Sequence, residues 1–242
     1  MAATHGDVHK IYRHIRFPEG TQSTRPYIFL NMVQSADGKA AIEGKASHLG
    51  TDVDRSVMRT LRSRAHAVMV GGGTIRAEKL SLSLDAADAR PVPRAVILTN
   101  TGDVPLESNL IRDHRQEVLV FLPESVENCA QRRLGRLAET RRVSETKSGT
   151  IDVAKALAIM KSEYDIDILL CEGGPKLNRA LIGANLADEL FLTIAPVLVG
   201  ANNTQAPRAF PQDRLGDTKP LRLISSQGAG DELFLRYSIE SC

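Results

Sequence analysis

Two glycine turns and one carboxylate mark where chemistry could sit in this 242-residue chain. The first turn, Val70-Gly71-Gly72-Gly73-Thr74, ends an apolar run and opens Ile75-Arg76-Ala77-Glu78. The second is Cys171-Glu172-Gly173-Gly174-Pro175-Lys176-Leu177-Asn178. Glycine lets a backbone approach a ligand closely, and the amides of a helix start favour phosphate. Pro175 suits a first helical turn, where its missing N–H leaves nothing unpaired. One such turn is most simply a tight strand-to-helix connection; two in the same sheet point to a nucleotide. Glu172 directly precedes two glycines at a strand end, so its carboxylate should project into a cleft. There it could accept hydrogen bonds or move a proton; the plainer reading is an acid that complements a helix dipole.

Other chemistries are excluded by what is missing. From Gly71 the order G-G-G-T-I-R lacks the third glycine of a dinucleotide fingerprint, and positions 89–93 offer no acid. No G-K-[ST] follows at P-loop spacing, no G-x-S-x-G elbow exists, and no H-x-E pairs with P-C-x-x-C. His5, His9 and His14 have usable metal spacing but lie in an irregular arm, and no metal is expected. Arg132, Arg133, Arg136, Arg141 and Arg142 read as a solvated helix end. Cys171 reads as a small core residue, since no His stands near it in sequence.

The elements that must position these groups alternate. Residues 27–33 read as a strand ended by Asp37-Gly38, a hairpin signal, with 40–42 returning. Thr51 or Asp52 caps a helix to about Ala65, with Val53, Val57, Met58 and Leu61 on one face. Strands follow at 66–70, 95–98, 118–122 and 166–171, and helices at 125–137, 152–163 and 176–182. After that come strands at 189–195, 221–226 and 232–239 with little helix between them. The pattern predicts an α/β fold: a mostly parallel sheet with helices on both faces and antiparallel C-terminal strands. No boundary stands out, so the expectation is an arm over 1–25 and a single domain over 26–242.

Composition agrees with a soluble globular protein. Thirty-one Lys and Arg against 29 Asp and Glu leave +2, no field for nucleic acid or an anionic membrane. Four Tyr, six Phe and no Trp argue against a base-stacking platform. The opening residues have no apolar signal-peptide core, and three scattered cysteines suit a reducing compartment, so a cytoplasmic location is expected.

Four segments then carry a family likeness: N31-M-V-Q-S-A-D-G-K39, V70-G-G-G-T-I-R-A-E78, L170-C-E-G-G-P-K-L-N178 and L186-A-D-E-L-F-L-T-I-A-P-V-L-V-G200. In this order and spacing they resemble the reductase domain of riboflavin biosynthesis over roughly residues 25–240. That domain forms the C-terminal half of the bacterial bifunctional deaminase-reductase and occurs free-standing in archaea, fungi and some bacteria. The resemblance implies a dihydrofolate-reductase-like fold, NADPH as cofactor, and reduction of the ribosyl group of a 5-amino-6-(ribosylamino)pyrimidine 5′-phosphate to ribityl. It implies cofactor contacts at Gly71, Gly73, Thr74, Glu78, Gly173, Gly174, Pro175, Lys176, Leu177 and Asn178. It places Asn31, Ser35, Ser47, Arg62, Leu82 and Glu172 on the substrate side, Arg62 as a phosphate ligand, with Glu172, Asp37 and Lys39 as catalytic candidates. It also implies a homodimer, consistent with a sheet edge at the C-terminal strands. The family's D-D-P-x-L-T-V-R run stands here as E78-K-L-S-L-S-L-D85, and Thr99-Asn100 replace a common Asp-Ser. A same-fold reductase acting on another pterin or pyrimidine heterocycle, or a non-catalytic nucleotide-binding module, are the alternatives.

Overall fold

The computed structural model describes residues 11–18, 24–77, 82, 84, 92–112, 115–200 and 218–240. Along the chain these form β1 (Tyr27–Ser35), α1 (Asp52–Arg62), β2 (Ala67–Gly71), α2 (Gly72–Ala77), β3 (Arg94–Leu98) and α3 (Asn109–Arg112). There follow β4 (Val118–Pro123), α4 (Asn128–Leu134), β5 (Glu139–Val143), α5 (Val153–Tyr164), β6 (Ile168–Cys171) and α6 (Pro175–Gly183). The chain closes with β7 (Glu189–Ala195), β8 (Leu221–Ala229) and β9 (Glu232–Ile239). Two compact units emerge: one of residues 17–27 and 62–174, the other of 1–16, 28–61 and 175–242.

The unit over 62–174 is a parallel sheet in the order β5-β4-β3-β2-β6. Its inner strands are apolar on both sides: Ala67 to Val70 and Ala95 to Ile97 are fully buried, as a parallel sheet covered by helices requires. Asp152 caps α5, its carboxylate accepting from the Lys155 N–H at 3.2 Å, and Ala156, Leu157 and Met160 face inward. The segment Glu139-Thr-Arg-Arg-Val143 is an edge strand beside β4, not a helix end. Charged side chains on an edge discourage strand addition, which explains a strand that hydropathy alone hides. Its arginines are engaged: Arg142 donates to Gln131 Oε1 and Asn128 Oδ1 at 2.8 Å each, and Arg141 pairs with Glu163. The helix expected over 125–137 shrinks to α4 because Glu145 takes both the hydroxyl and the N–H of Ser125, holding it outside.

In the other unit β1 runs parallel to β7, with Phe29 opposite Glu189 and Ser35 opposite Ala195. Strand β9 is antiparallel to β7 and to β8, as expected, with an irregularity in β8 between Leu223 and Ser225. Thr51 is the N-cap of α1: its Oγ1 accepts from the Val53 N–H at 3.1 Å while the hydroxyl donates to buried Glu232 at 2.6 Å. The turn at Asp37-Gly38 forms, with Gly38 at φ +81, yet no returning strand follows it. Glu43 and Gly44 both take positive φ, so the chain turns again after one isolated bridge, Ile42 to Lys45. The expected arm is irregular but not loose where described. Ile11, Tyr12, Ile15 and Phe17 are buried, and Tyr12 meets Phe191 edge-on at 4.9 Å.

Candidate functional site

Strands β2 and β6 are parallel neighbours, Val68 opposite Leu170 and Met69 opposite Cys171, so their carboxyl ends open side by side. Both ends are glycine turns. The ladder continues past the strands: the Glu172 N–H donates to the Met69 carbonyl at 3.0 Å, and the Gly71 N–H to the Gly173 carbonyl at 2.8 Å. Two turns about 100 residues apart in sequence are thereby tied into one surface. Ligands of open α/β sheets bind at such carboxyl ends.

The glycines differ in what they do. A Cβ on Gly72 would lie 2.9 Å from Thr99 Cβ, so Gly72 is there for packing. A Cβ on Gly73 meets nothing nearer than Arg76 at 4.0 Å, so Gly73 opens outward. A Cβ on Gly174 would fall 2.7 Å from Thr74 Oγ1, which leaves the second turn room for bare backbone only. Gly173 takes φ +87. Here glycine is required, and the Thr74 hydroxyl faces the bare Gly174 backbone.

Glu172 stands at the tie. Its carboxylate receives the Arg62 guanidinium in a two-pronged pair, Nε to Oε1 and Nη2 to Oε2, both at 2.7 Å. The side chains are 4% and 10% exposed. Burial works against the Arg62 charge, but the Glu172 carboxylate more than offsets it, and the guanidinium is held above its ordinary value. Arg62, expected on a substrate phosphate, thus spends two donors on Glu172. Cys171 is wholly buried, which pushes its thiol up to about 12 and makes it inert. Leu82 is fully buried, its carbonyl accepting from Gln116.

The remaining candidates belong to the other unit. Ser35 is buried, its hydroxyl donating to Asp37 at 2.6 Å and accepting from the Lys39 N–H at 2.9 Å. Asp37 also accepts from the Val199 and Gly200 amides at 3.1 and 2.9 Å. The Ser35 hydroxyl first, then those amides, hold its carboxyl down at about 2. Asp37 therefore ties the 35–39 turn to the segment after β7. Asn31 and Lys39 are half-buried, and Ser47 lies in the short turn Ala46–His48. In α6, Lys176 is exposed, Leu177 is buried, and Asn178 is fully buried, its amide donating to the Met32 thioether at 2.9 Å. The spacing Leu177, Asn178, Leu181, Ile182 already marks a buried helix face. Glu78 and Asp85 lie outside the described residues, as do His5 and His9. Among the described residues no group of three or more His, Cys, Asp or Glu stands together as a metal site, and no helix is long and apolar enough to cross a membrane.

Comparisons with known proteins converge. A family profile described as the RibD C-terminal domain matches residues 26–235. A Methanothermobacter thermautotrophicus protein named 2,5-diamino-6-ribosylamino-4(3H)-pyrimidinone 5′-phosphate reductase is 28% identical over 223 residues, 89% of this chain and 99% of that one. A pyrimidine reductase-like protein from Corynebacterium diphtheriae superposes with a TM-score of 0.77 at 20% identity, covering 97% of this chain and 99% of its own. Acinetobacter baumannii RibD gives 0.74 at 22% identity over 90% of this chain, which spans only 59% of that longer protein.

Proposed function

Because this chain belongs to the RibD C-terminal domain family, we propose that it reduces the ribosyl group of a 5-amino-6-(ribosylamino)pyrimidine 5′-phosphate to ribityl with NADPH. The diamino form of the pyrimidine is favoured, since the archaeal relative matched end to end bears that substrate's name. The observation that carries the reading is the tie between the two turns, which sets bare backbone at Gly73 and Gly174 beside a fixed carboxylate. Gly73 opens outward and Gly174 leaves bare backbone at the second turn, so the residues present fit a group that must approach the backbone closely. Gly71, Gly73, Thr74, Gly173 and Gly174 would hold it.

NADPH, when bound, supplies a hydride to C1′ of the ring-opened sugar imine. One proton goes to the adjacent nitrogen, and ribitylamine and NADP⁺ are the products. The chain's own contribution is placement and electrostatics. Glu172 presents a charged acceptor to sugar hydroxyls. In the other unit Asn31 and Lys39 keep half-exposed side chains and are the candidates there. We treat residues 26–242 as one reductase domain behind an arm, supported by a single family profile running through both units. A C2 homodimer is proposed from Leu221, Leu223, Ile224 and Leu233, all at least 40% exposed on β8 and β9. A cytoplasmic location is proposed with it, supported by the free thiols Cys129 and Cys171.

The test is turnover of the diamino and the deaminated substrate side by side, following NADPH absorbance and identifying the product by mass. Reduction to ribityl, faster with the diamino form, is expected. No NADPH oxidation with either substrate overturns the proposal.

A further inference from the structure

We propose that Asp37 is a positioning residue: its carboxylate clasps the segment after β7 to the turn after β1 and, through the Ser35 hydroxyl, fixes the backbone of Lys39, whose ammonium meets the 5′-phosphate of the substrate. The part given to Lys39 rests on the substrate proposed above. The clasp stands without it.

Asp37 spends its carboxylate on three donors. The Ser35 hydroxyl at 2.6 Å and the Val199 N–H at 3.1 Å reach Oδ1, and the Gly200 N–H at 2.9 Å reaches Oδ2. A backbone bond from the Ala36 N–H to the Val197 carbonyl, 2.9 Å long, runs alongside. Hydrogen bonds to an ionised acceptor are roughly twice as strong as neutral ones, so an exposed carboxylate can still join stretches 162 residues apart. The same donors, the Ser35 hydroxyl first, hold the carboxyl down at about 2. At neutral pH Asp37 therefore has no proton to give, and its lone pairs are engaged. Its effect must pass through a neighbour. Ser35 is fully buried and has one hydroxyl proton, which goes to Asp37, so a lone pair is left for the Lys39 N–H at 2.9 Å. The Ser35 N–H donates to the Lys39 carbonyl at 2.8 Å, so one residue holds both backbone groups of Lys39. The Lys39 side chain is half-buried, and among the described residues it makes no hydrogen bond or ion pair. A compact ammonium on a fixed backbone, with no protein anion against it, suits a phosphate dianion.

Amide hydrogen exchange followed by NMR reads the clasp without substrate, and steady-state kinetics reads the ammonium. In Asp37→Asn, exchange at Lys39, Val199 and Gly200 should quicken by about tenfold or more. Substrate KM should rise by about as much, with kcat within threefold and the Kd for NADPH within twofold of wild type. Ser35→Ala keeps the clasp and cuts the link, and it serves should Asp37→Asn fail to fold. It should quicken exchange at Lys39 while Val199 and Gly200 stay protected, with the same rise in KM. Lys39→Met should raise KM by about tenfold or more, and adding Asp37→Asn to it should cost nothing further, since the two act as one unit. The rise in Lys39→Met should vanish when the substrate lacks its 5′-phosphate. Unchanged exchange at Val199 and Gly200 in folded Asp37→Asn overturns the clasp. A rise in KM that survives removal of the phosphate overturns the role of Lys39, and additive losses in the double variant overturn the link between the two. A wild type that turns over neither pyrimidine faults the assigned substrate, and the exchange rates then decide the clasp by themselves.

Discussion

Replacing Gly174 by alanine asks for space that Thr74 already occupies. Among the described residues beyond its chain neighbours, Thr74 Oγ1 is the one atom the new Cβ meets within 4 Å, at 2.7 Å. Contacts under 3.0 Å are essentially never seen for a real Cβ, so the hydroxyl must rotate or the two turns must part. Gly174 does not take a positive φ, so alanine is penalised by this contact and not by its backbone. Overpacking of this kind costs about 1–3 kcal/mol. If the whole of it falls on the cofactor site, the Kd for NADPH rises about 5- to 150-fold. The chain has no Trp, so the fluorescence of the reduced nicotinamide reports binding without interference. Thr74→Ala removes the clashing oxygen, and a double-mutant cycle should recover part of the loss as a coupling of about 0.5–3 kcal/mol. A folded Gly174→Ala protein that binds NADPH within twofold of wild type refutes the assignment of this turn. A loss that Thr74→Ala leaves untouched refutes the steric cause.

Three further outcomes are expected. Asp37, ordinarily near 3.8, is held at about 2 in the fold, so the stability it adds is present above pH 4 and is lost as pH falls through 2; the Tm gap between wild type and Asp37→Asn should be open at pH 6 and largely narrowed by pH 2. Arg236 meets buried Glu189 with two hydrogen bonds of 2.7 Å, so Arg236→Met should cost about 3–5 kcal/mol in urea unfolding, and Arg236→Met with Glu189→Leu should cost less. If the proposed homodimer uses β8, the wild type should run as a dimer and Leu223→Asp as a monomer in light scattering at micromolar concentration, and an unshifted mass would remove β8 from the interface.

The strands that could be read directly were those where burial on both sides leaves one signal, as at 95–98 and 118–122, or where a cap and a periodic face agree, as in α5. Strand β5 was hidden because an edge is stabilised by what hydropathy reads as solvent. The returning strand after Asp37-Gly38 was wrongly expected because turn chemistry reports the turn and says nothing of the next one, six residues on at Gly44. In the candidate site, both glycine turns were legible as turns. Which glycine serves packing and which faces outward depends on Thr99 and Thr74, and both belong to distant sequence or to the neighbouring turn. The Arg62–Glu172 pair joins residues 110 apart, so its partner choice was invisible until the strands were placed.

The pairing of β1 with β7 sets a timetable for a chain made from its N-terminus. Residue 29 waits for residue 189 before its ladder can close. At ~5–20 residues per second of synthesis, that interval lasts roughly 8 to 30 s. The segment 62–174 has every strand of its own sheet as soon as β6 emerges, so it can consolidate early. Throughout, the ribosome-bound chain carries Ile28-Phe29-Leu30, fully buried at the end but without the β7 ladder at the start. A short, uncharged apolar segment in that position is an aggregation hazard. Slowing elongation after residue 174 would lengthen its exposure, whereas speeding that stretch should raise soluble yield without changing a single residue of the protein.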